Sequence, residues 1–332
     1  MEFNNDLLKS LVRTFSPSGN EERIRNLIVN EIKDYVDEME IDTLGNLIAR
    51  KKGLGKRIMI AGHMDQIGLM ITDIDKDGFL RFTNVGGISP LLSIQQRVIF
   101  DNGIVGIISN EKIDDKNKLK LEHLYIDIGA KDKKEAEDKI NIGDVCVYLN
   151  EYYVDESRIT SGCLDDRIGC YVMIETLKSL KDTNNDLYFV FTVQEELGIR
   201  GAKTSAYKIN PDVGIAIDVT KTGDTPKAER FAVGLGKGTA IKVMDKSVIV
   251  HPKVKDIMVD TAQKNNIKYQ MEVLEHGGTD SGAIHLTREG VPSGVISIPT
   301  RYIHSSNETI YKEDVENSIV LLKEVLKNKF DF

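Results

Sequence analysis

Apolar positions follow three textures along the chain. After Ser18, Glu21 stands at capping-box spacing, and Ile24, Leu27, Ile28, Ile32 and Tyr35 recur every three or four residues, which predicts a helix. Residues 58–61 (Ile-Met-Ile-Ala) are apolar on both faces of an extended chain and run into Gly62-His63-Met64-Asp65. Such a strand belongs in the middle of a sheet covered by helices.

From residue 67 to 159 the apolar stretches are short, among them Val98-Ile99-Phe100, Val105-Gly106-Ile107-Ile108 and Val145-Cys146-Val147-Tyr148, parted by Gly, Asn and Asp turns. Within this segment 135–140 alone reads as helical, and weakly. That texture suits a small β-barrel or sandwich. After Ser161 the periodicity predicts helix over 165–180, strands over 188–193 and 213–219, and helices over 253–264 and 279–287. A strand over 294–298 and a closing helix over 315–326 follow. The expected fold is α/β: a mixed, helix-covered sheet domain from residues 1–66 and 160–332, interrupted by a β-barrel-like domain over 67–159. A chain of 332 residues is long enough for two such cores.

Composition narrows the function. The net charge of −8, with lysines interspersed among acids as in Lys131-Asp132-Lys133-Lys134-Glu135, argues against a nucleic-acid partner, which needs clustered Lys and Arg. No apolar run approaches the roughly 20 residues of a membrane helix. The first residues lack the basic and apolar regions of a signal peptide. Cys146, Cys163 and Cys170 form no CxxC pair and leave an odd count. Reduced thiols in the cytoplasm are the expectation.

Five short segments place metal-binding side chains where strands should end: Gly62-His63-Met64-Asp65, Leu164-Asp165-Asp166-Arg167, Gln194-Glu195-Glu196, Ile217-Asp218 and Tyr302-Ile303-His304-Ser305. Ligands of α/β sheets bind at the carboxyl ends of strands. Each segment alone has a plain reading. His63 and Asp65 fit a structural hydrogen bond, Asp165 a helix cap, Asp218 a turn, and Glu195-Glu196 a solvated pair. Adjacent strand residues point to opposite faces, so one of the two glutamates can coordinate while its neighbour accepts a proton. Together, three carboxylates and two imidazoles suit two divalent ions such as Zn²⁺, Co²⁺ or Mn²⁺. If Asp165 bridges, one ion takes His63, Asp165 and Asp218, and the other takes Asp165, Glu196 and His304.

These segments, with Thr279-Asp280-Ser281-Gly282-Ala283-Ile284-His285, Val291-Pro292-Ser293-Gly294 and Pro299-Thr300-Arg301, resemble in order the tetrahedral (TET) aminopeptidases. That family of dinuclear metallopeptidases also carries glutamyl-aminopeptidase and cellulase labels. The resemblance spans nearly the whole chain. It implies ligand roles for His63, Asp165, Glu196, Asp218 and His304, the base role for Glu195, and an orienting role for Asp65. It implies two divalent ions per subunit, Zn²⁺ or Co²⁺, peptide substrates, and an insertion that mediates dimer contacts within a hollow homo-oligomeric dodecamer. His276 departs from the pattern, standing where the family has another small residue. His123, His251 and His285 read as structural.

The implied reaction has Glu195 take the proton of a metal-bridging water that attacks the first peptide carbonyl, then pass it to the leaving amine. A glycoside hydrolase with paired carboxylates is the alternative. It would leave His63 and His304 without a role, and 0 Trp and 6% aromatic residues offer little for sugar stacking. A non-catalytic binding scaffold would have no use for Glu195.

Overall fold

The computed structural model describes residues 3–181 and 183–332. Helix α1 (Asn5–Arg13) turns Leu7, Leu8, Leu11 and Val12 inward, and Asn4 caps it by accepting the Leu7 N–H at 3.1 Å. Helix α2 (Glu22–Ile32) buries Ile24, Ile28 and Ile32, the spacing read from the sequence. Its start differs from the capping box expected there. The Ser18 hydroxyl donates to Asp65 Oδ2 at 2.6 Å, and Glu21 accepts the N–H groups of Gly19 and Gln194. The charge-assisted bond to Asp65 takes the Ser18 hydroxyl, and Glu21 ties the loop before α2 to the segment after Val193.

Strands β1 (Glu38–Ile41), β2 (Leu47–Lys51) and β3 (Arg57–His63) follow. The chain then leaves for a closed six-stranded barrel: β4 (Gly68–Ile74), β5 (Leu80–Val85), β6 (Arg97–Phe100), β7 (Val105–Asn110), β8 (Leu124–Asp127) and β9 (Val145–Tyr148). Two short helices, α3 (Pro90–Ser93) and α4 (Lys133–Glu137), interrupt it. Closure leaves no open edge, and the barrel has its own core around Leu69, Ile71, Leu80, Val98, Ile108 and Ile126. Strands β10 (Tyr153–Val154) and β11 (Arg158–Ser161) lead back out of it.

Helix α5 (Leu164–Ser179) is buried along nearly all of its length, as its weakly sided apolar sequence demands. After it come β12 (Asp186–Thr192), α6 (Arg200–Ile209), β13 (Val213–Lys221), β14 (Thr239–Met244), α7 (Pro252–Lys264) and β15 (Tyr269–Val273). Helix α8 (Ser281–Ile284), β16 (Ser293–Thr300), β17 (Glu308–Tyr311) and α9 (Lys312–Val325) complete the chain. The helix expected over 279–287 thus shrinks to four residues. Gly278 and Gly282 pack against Ser247, and the segment serves this contact rather than a regular helix.

The main sheet is mixed, in the order β1-β2-β12-β3-β13-β16-β14-β15, with β3 parallel to both β12 and β13. Helices α1, α2, α5, α7 and α9 cover one face, and α6 and α8 the other. Among the described residues no helix is long and apolar enough to cross a membrane.

Candidate metal centre

The candidate residues gather level with the end of β3. His63 closes β3 opposite Thr192 of β12, Glu195 and Glu196 follow β12, and Asp218 lies near the end of β13. Asp165 comes from the start of α5 and His304 from the loop after β16. Asp165 uses its two oxygens separately: Oδ1 is 3.1 Å from His63 Nε2, and Oδ2 is 3.2 Å from His304 Nε2. His304 Nε2 also lies 3.2 Å from Glu196 Oε1. His63, Asp165 and Asp218 are buried, and Glu196 is half-buried.

The adjacent acids at the head of α5 divide their work. Asp166 Oδ1 accepts the Gly169 N–H at 3.1 Å and Oδ2 accepts the His63 N–H at 3.2 Å. Asp166 is thus the helix cap, and Asp165 is left free to face both imidazoles. Gly169 is required there because any Cβ would strike the Asp166 carboxylate. His63, Asp165 and Glu196 offer atoms within 4.8 Å of one another, as do His63, Asp166 and Asp218. The second group reaches Asp218 beside Asp166, where the sequence reading paired it with Asp165.

Asp65 is buried below this cluster and knits three segments together. Its Oδ1 accepts the Glu195 N–H at 3.0 Å, and its Oδ2 takes the Ser18 hydroxyl and, at 3.3 Å, the Glu196 N–H. His63 Nδ1 lies 3.2 Å from the Asp65 carbonyl and 3.4 Å from Asp65 Oδ1. Whichever oxygen takes the proton on Nδ1, Nε2 is directed at Asp165. Glu196 meets His304, while Glu195 makes no such contact to an imidazole.

Two carboxylates near the centre have roles that the sequence did not reveal. Glu308 of β17 is buried and accepts the Asp165 N–H at 3.0 Å and the His304 N–H at 2.7 Å. Burial, with the nearby charge of Asp165, pushes it up to about 8. It stands four residues after His304, a spacing that was the only local signal. Asp280 accepts the Thr192 hydroxyl at 2.6 Å through Oδ2, while its buried Oδ1 has no protein partner. Burial raises it to about 6 against that hydrogen bond. Its segment belongs to the motifs quoted above, where nothing in the local pattern marks Asp280 itself.

Electrostatics show what the donor set wants. Burial raises the Asp218 carboxyl well above the ordinary range, and the charge of Asp165 adds to this. Burial likewise raises Asp166, with Asp218 adding to it, and raises Glu195 against the pull of His63. Burial alone would lower the imidazoles. Facing carboxylates reverse this, raising His63 well above its usual value through Asp165 and Asp65, and His304 to about 12 through Asp165 and Glu196. Buried carboxylates set this close to one another and to two imidazoles are a donor set whose charge divalent cations would balance. Imidazole nitrogens and carboxylate oxygens converging in this way fit Zn²⁺, Co²⁺ or Mn²⁺. The other four histidines lie elsewhere: His123 Nδ1 accepts the Lys120 N–H, His276 is exposed, His285 Nδ1 meets the Ser281 carbonyl, and His251 stacks on Phe332.

The chain and its fold have known counterparts. A protein of Acetivibrio thermocellus is 53% identical, covering 97% of this chain and 98% of its own. An aminopeptidase from the archaeon Desulfurococcus kamchatkensis has a solved structure that superposes with a TM-score of 0.94 at 40% identity, covering 97% of this chain and 94% of that one. The TET1 peptidase of Pyrococcus horikoshii, described as assembling into a tetrahedron or a large octahedral shell, superposes with a TM-score of 0.86 at 34% identity. That match covers 97% of this chain and 98% of that one. Residues 45–321 match the model of the M42 glutamyl aminopeptidases, and the chain belongs to that family.

Proposed function

We propose that this chain is a cytoplasmic, metal-dependent aminopeptidase that removes N-terminal residues from peptides. His63, Asp165, Glu196, Asp218 and His304 would hold two divalent ions, Zn²⁺ or Co²⁺. The observation that carries this reading is Asp165, whose two oxygens each face a different imidazole, as a bridging carboxylate requires. Bound divalent ions supply Lewis acidity, lowering the pKa of water and polarising the scissile carbonyl.

The chain's own groups do the rest. Asp65 holds His63 in one tautomer and grips the Glu195 N–H, which fixes the base relative to the ligands. Glu195 takes a proton from the attacking water and returns it to the leaving amine. The free α-amine of the substrate would sit beside this ligand set, which favours removal of one residue at a time. A glycoside hydrolase reading gives no task to the two imidazoles that contact Asp165.

Residues 67–159 act in this proposal as an insertion unit that mediates contacts between copies, building a homo-oligomeric dodecamer. The separate barrel core and the tetrahedral assembly described for the Pyrococcus horikoshii relative support it.

A panel of aminoacyl-anilides, assayed after chelation and after restoring Zn²⁺ or Co²⁺, tests the activity. Hydrolysis that appears only with metal is the expected result. Turnover unaffected by chelation, or turnover of a glucan and no aminoacyl-anilide, would overturn the proposal.

A further inference from the structure

The barrel reaches the metal centre through one turn. Gly86 and Gly87 follow β5, and the Asn84 side chain donates to the Gly86 carbonyl at 2.7 Å, pinning them in place. A Cβ on Gly86 would lie 2.9 Å from Glu196 Oε2, and its φ of +83° strains any other residue. A Cβ on Gly87 would lie 2.6 Å from His304 Nδ1 and 2.8 Å from His304 Cε1, and its three nearest neighbours are all atoms of that imidazole. Gly87 has no left-handed conformation to explain its identity. What it provides is space for the ring.

Resting on the metal-ion reading above, we propose that the Gly86–Gly87 turn positions the His304 ring and Glu196, so that the barrel sets the metal affinity of that half of the centre. His304 is held from two directions. Glu308 fixes its backbone, at a φ of +63° that a non-glycine residue rarely adopts, and the Gly87 backbone forms the wall behind Nδ1. Nε2 is thereby pressed toward Asp165 and Glu196. Adding one methyl at Gly87 makes a contact shorter than any real one, so the ring and the turn cannot both keep their present positions. The barrel is then part of the chemistry as well as of assembly.

The test is calorimetric titration of the metal-free full-length protein with Zn²⁺, comparing wild type, Gly87→Ala, His304→Ala and the double variant. Gly87→Ala should keep one ion at wild-type affinity and bind the other about 10–100-fold more weakly, the usual cost of misorienting a ligand. The double variant should match His304→Ala, because the effect passes through the ring. Two ions bound by Gly87→Ala at wild-type affinity would overturn the inference. So would a further loss when Gly87→Ala is added to His304→Ala. If Gly87→Ala does not fold, His304→Ala should restore folding by vacating the space, and failure to do so would also overturn it. A wild type that takes up no metal would instead remove the reading on which the inference rests.

Discussion

Glu308 accepts the backbone N–H of Asp165 at 3.0 Å across 143 positions of sequence. Its other oxygen holds His304, so one buried carboxylate fixes the backbone behind two of the proposed ligands. Glu308→Gln keeps the shape but turns one acceptor into a donor that faces an N–H. We expect metal affinity to fall about 10–100-fold with secondary structure retained. Elemental analysis after dialysis, with circular dichroism alongside, checks this. Unchanged metal content would deny Glu308 that function.

Metal removal should cost stability as well as activity. A ligand that binds the native state alone contributes about 2.7 kcal/mol at a concentration 100 times its Kd. The buried acids and imidazoles of the centre would also repel one another or exchange protons when it leaves. Chelation should therefore lower the Tm, and restored Zn²⁺ should raise it again. Identical melting curves with and without chelator would argue that no ion is bound.

A second carboxylate gives a pH signature away from the metal. Asp314, at the start of α9, accepts the N–H groups of Gly236 and Gly238, each at 2.7 Å. Burial raises it to about 6 in spite of those bonds. The folded state therefore binds this proton more tightly than the unfolded chain, whose carboxyl titrates near 3.9. Its contribution is fully present below about pH 4 and is lost as pH rises through about 6. Urea titrations of wild type and Asp314→Asn across that window should show the wild type losing ground relative to the variant. A constant difference between the two would contradict the assignment.

How far the sequence spoke depends on what each residue touches. His63, Glu196 and Asp218 were legible because each ends an apolar run, and a sheet gathers such ends in one place. Asp165 was legible as part of an acidic pair at a helix start, but what separates it from Asp166 is a three-dimensional contact, since either acid could have capped the helix. Glu308 and Gly87 act on groups far away in sequence, and no local pattern marks them. Among the elements, β1 was missed because all four of its residues are exposed at the sheet edge. Strand β14 was missed because Lys242 interrupts its apolar run. That lysine is buried, with its charge met by Asp245 at 3.1 Å and Glu272 at 2.9 Å, a pairing that periodicity cannot show.

Glu195 and Glu196 provide the sharpest test of the proposed chemistry, because they are neighbours of the same chemical type. Glu196 Oε1 meets His304 Nε2 at 3.2 Å, whereas Glu195 is anchored through its backbone, its N–H donating to Asp65 and its carbonyl accepting from Gly198 and Ile199. Glu196→Gln should therefore weaken one ion and lower metal content and activity together. Glu195→Gln should keep both ions, since it touches neither imidazole, yet lose the ability to accept the proton of the attacking water. Removing a general base costs about 10²–10⁴-fold in rate, so kcat should fall by that factor with KM little changed. Metal content and kcat measured side by side for the two variants decide the matter. Loss of an ion in Glu195→Gln with both retained in Glu196→Gln would exchange the two roles. If kcat changes by no more than a few-fold in either variant, neither glutamate is the base and the proton must leave by another group.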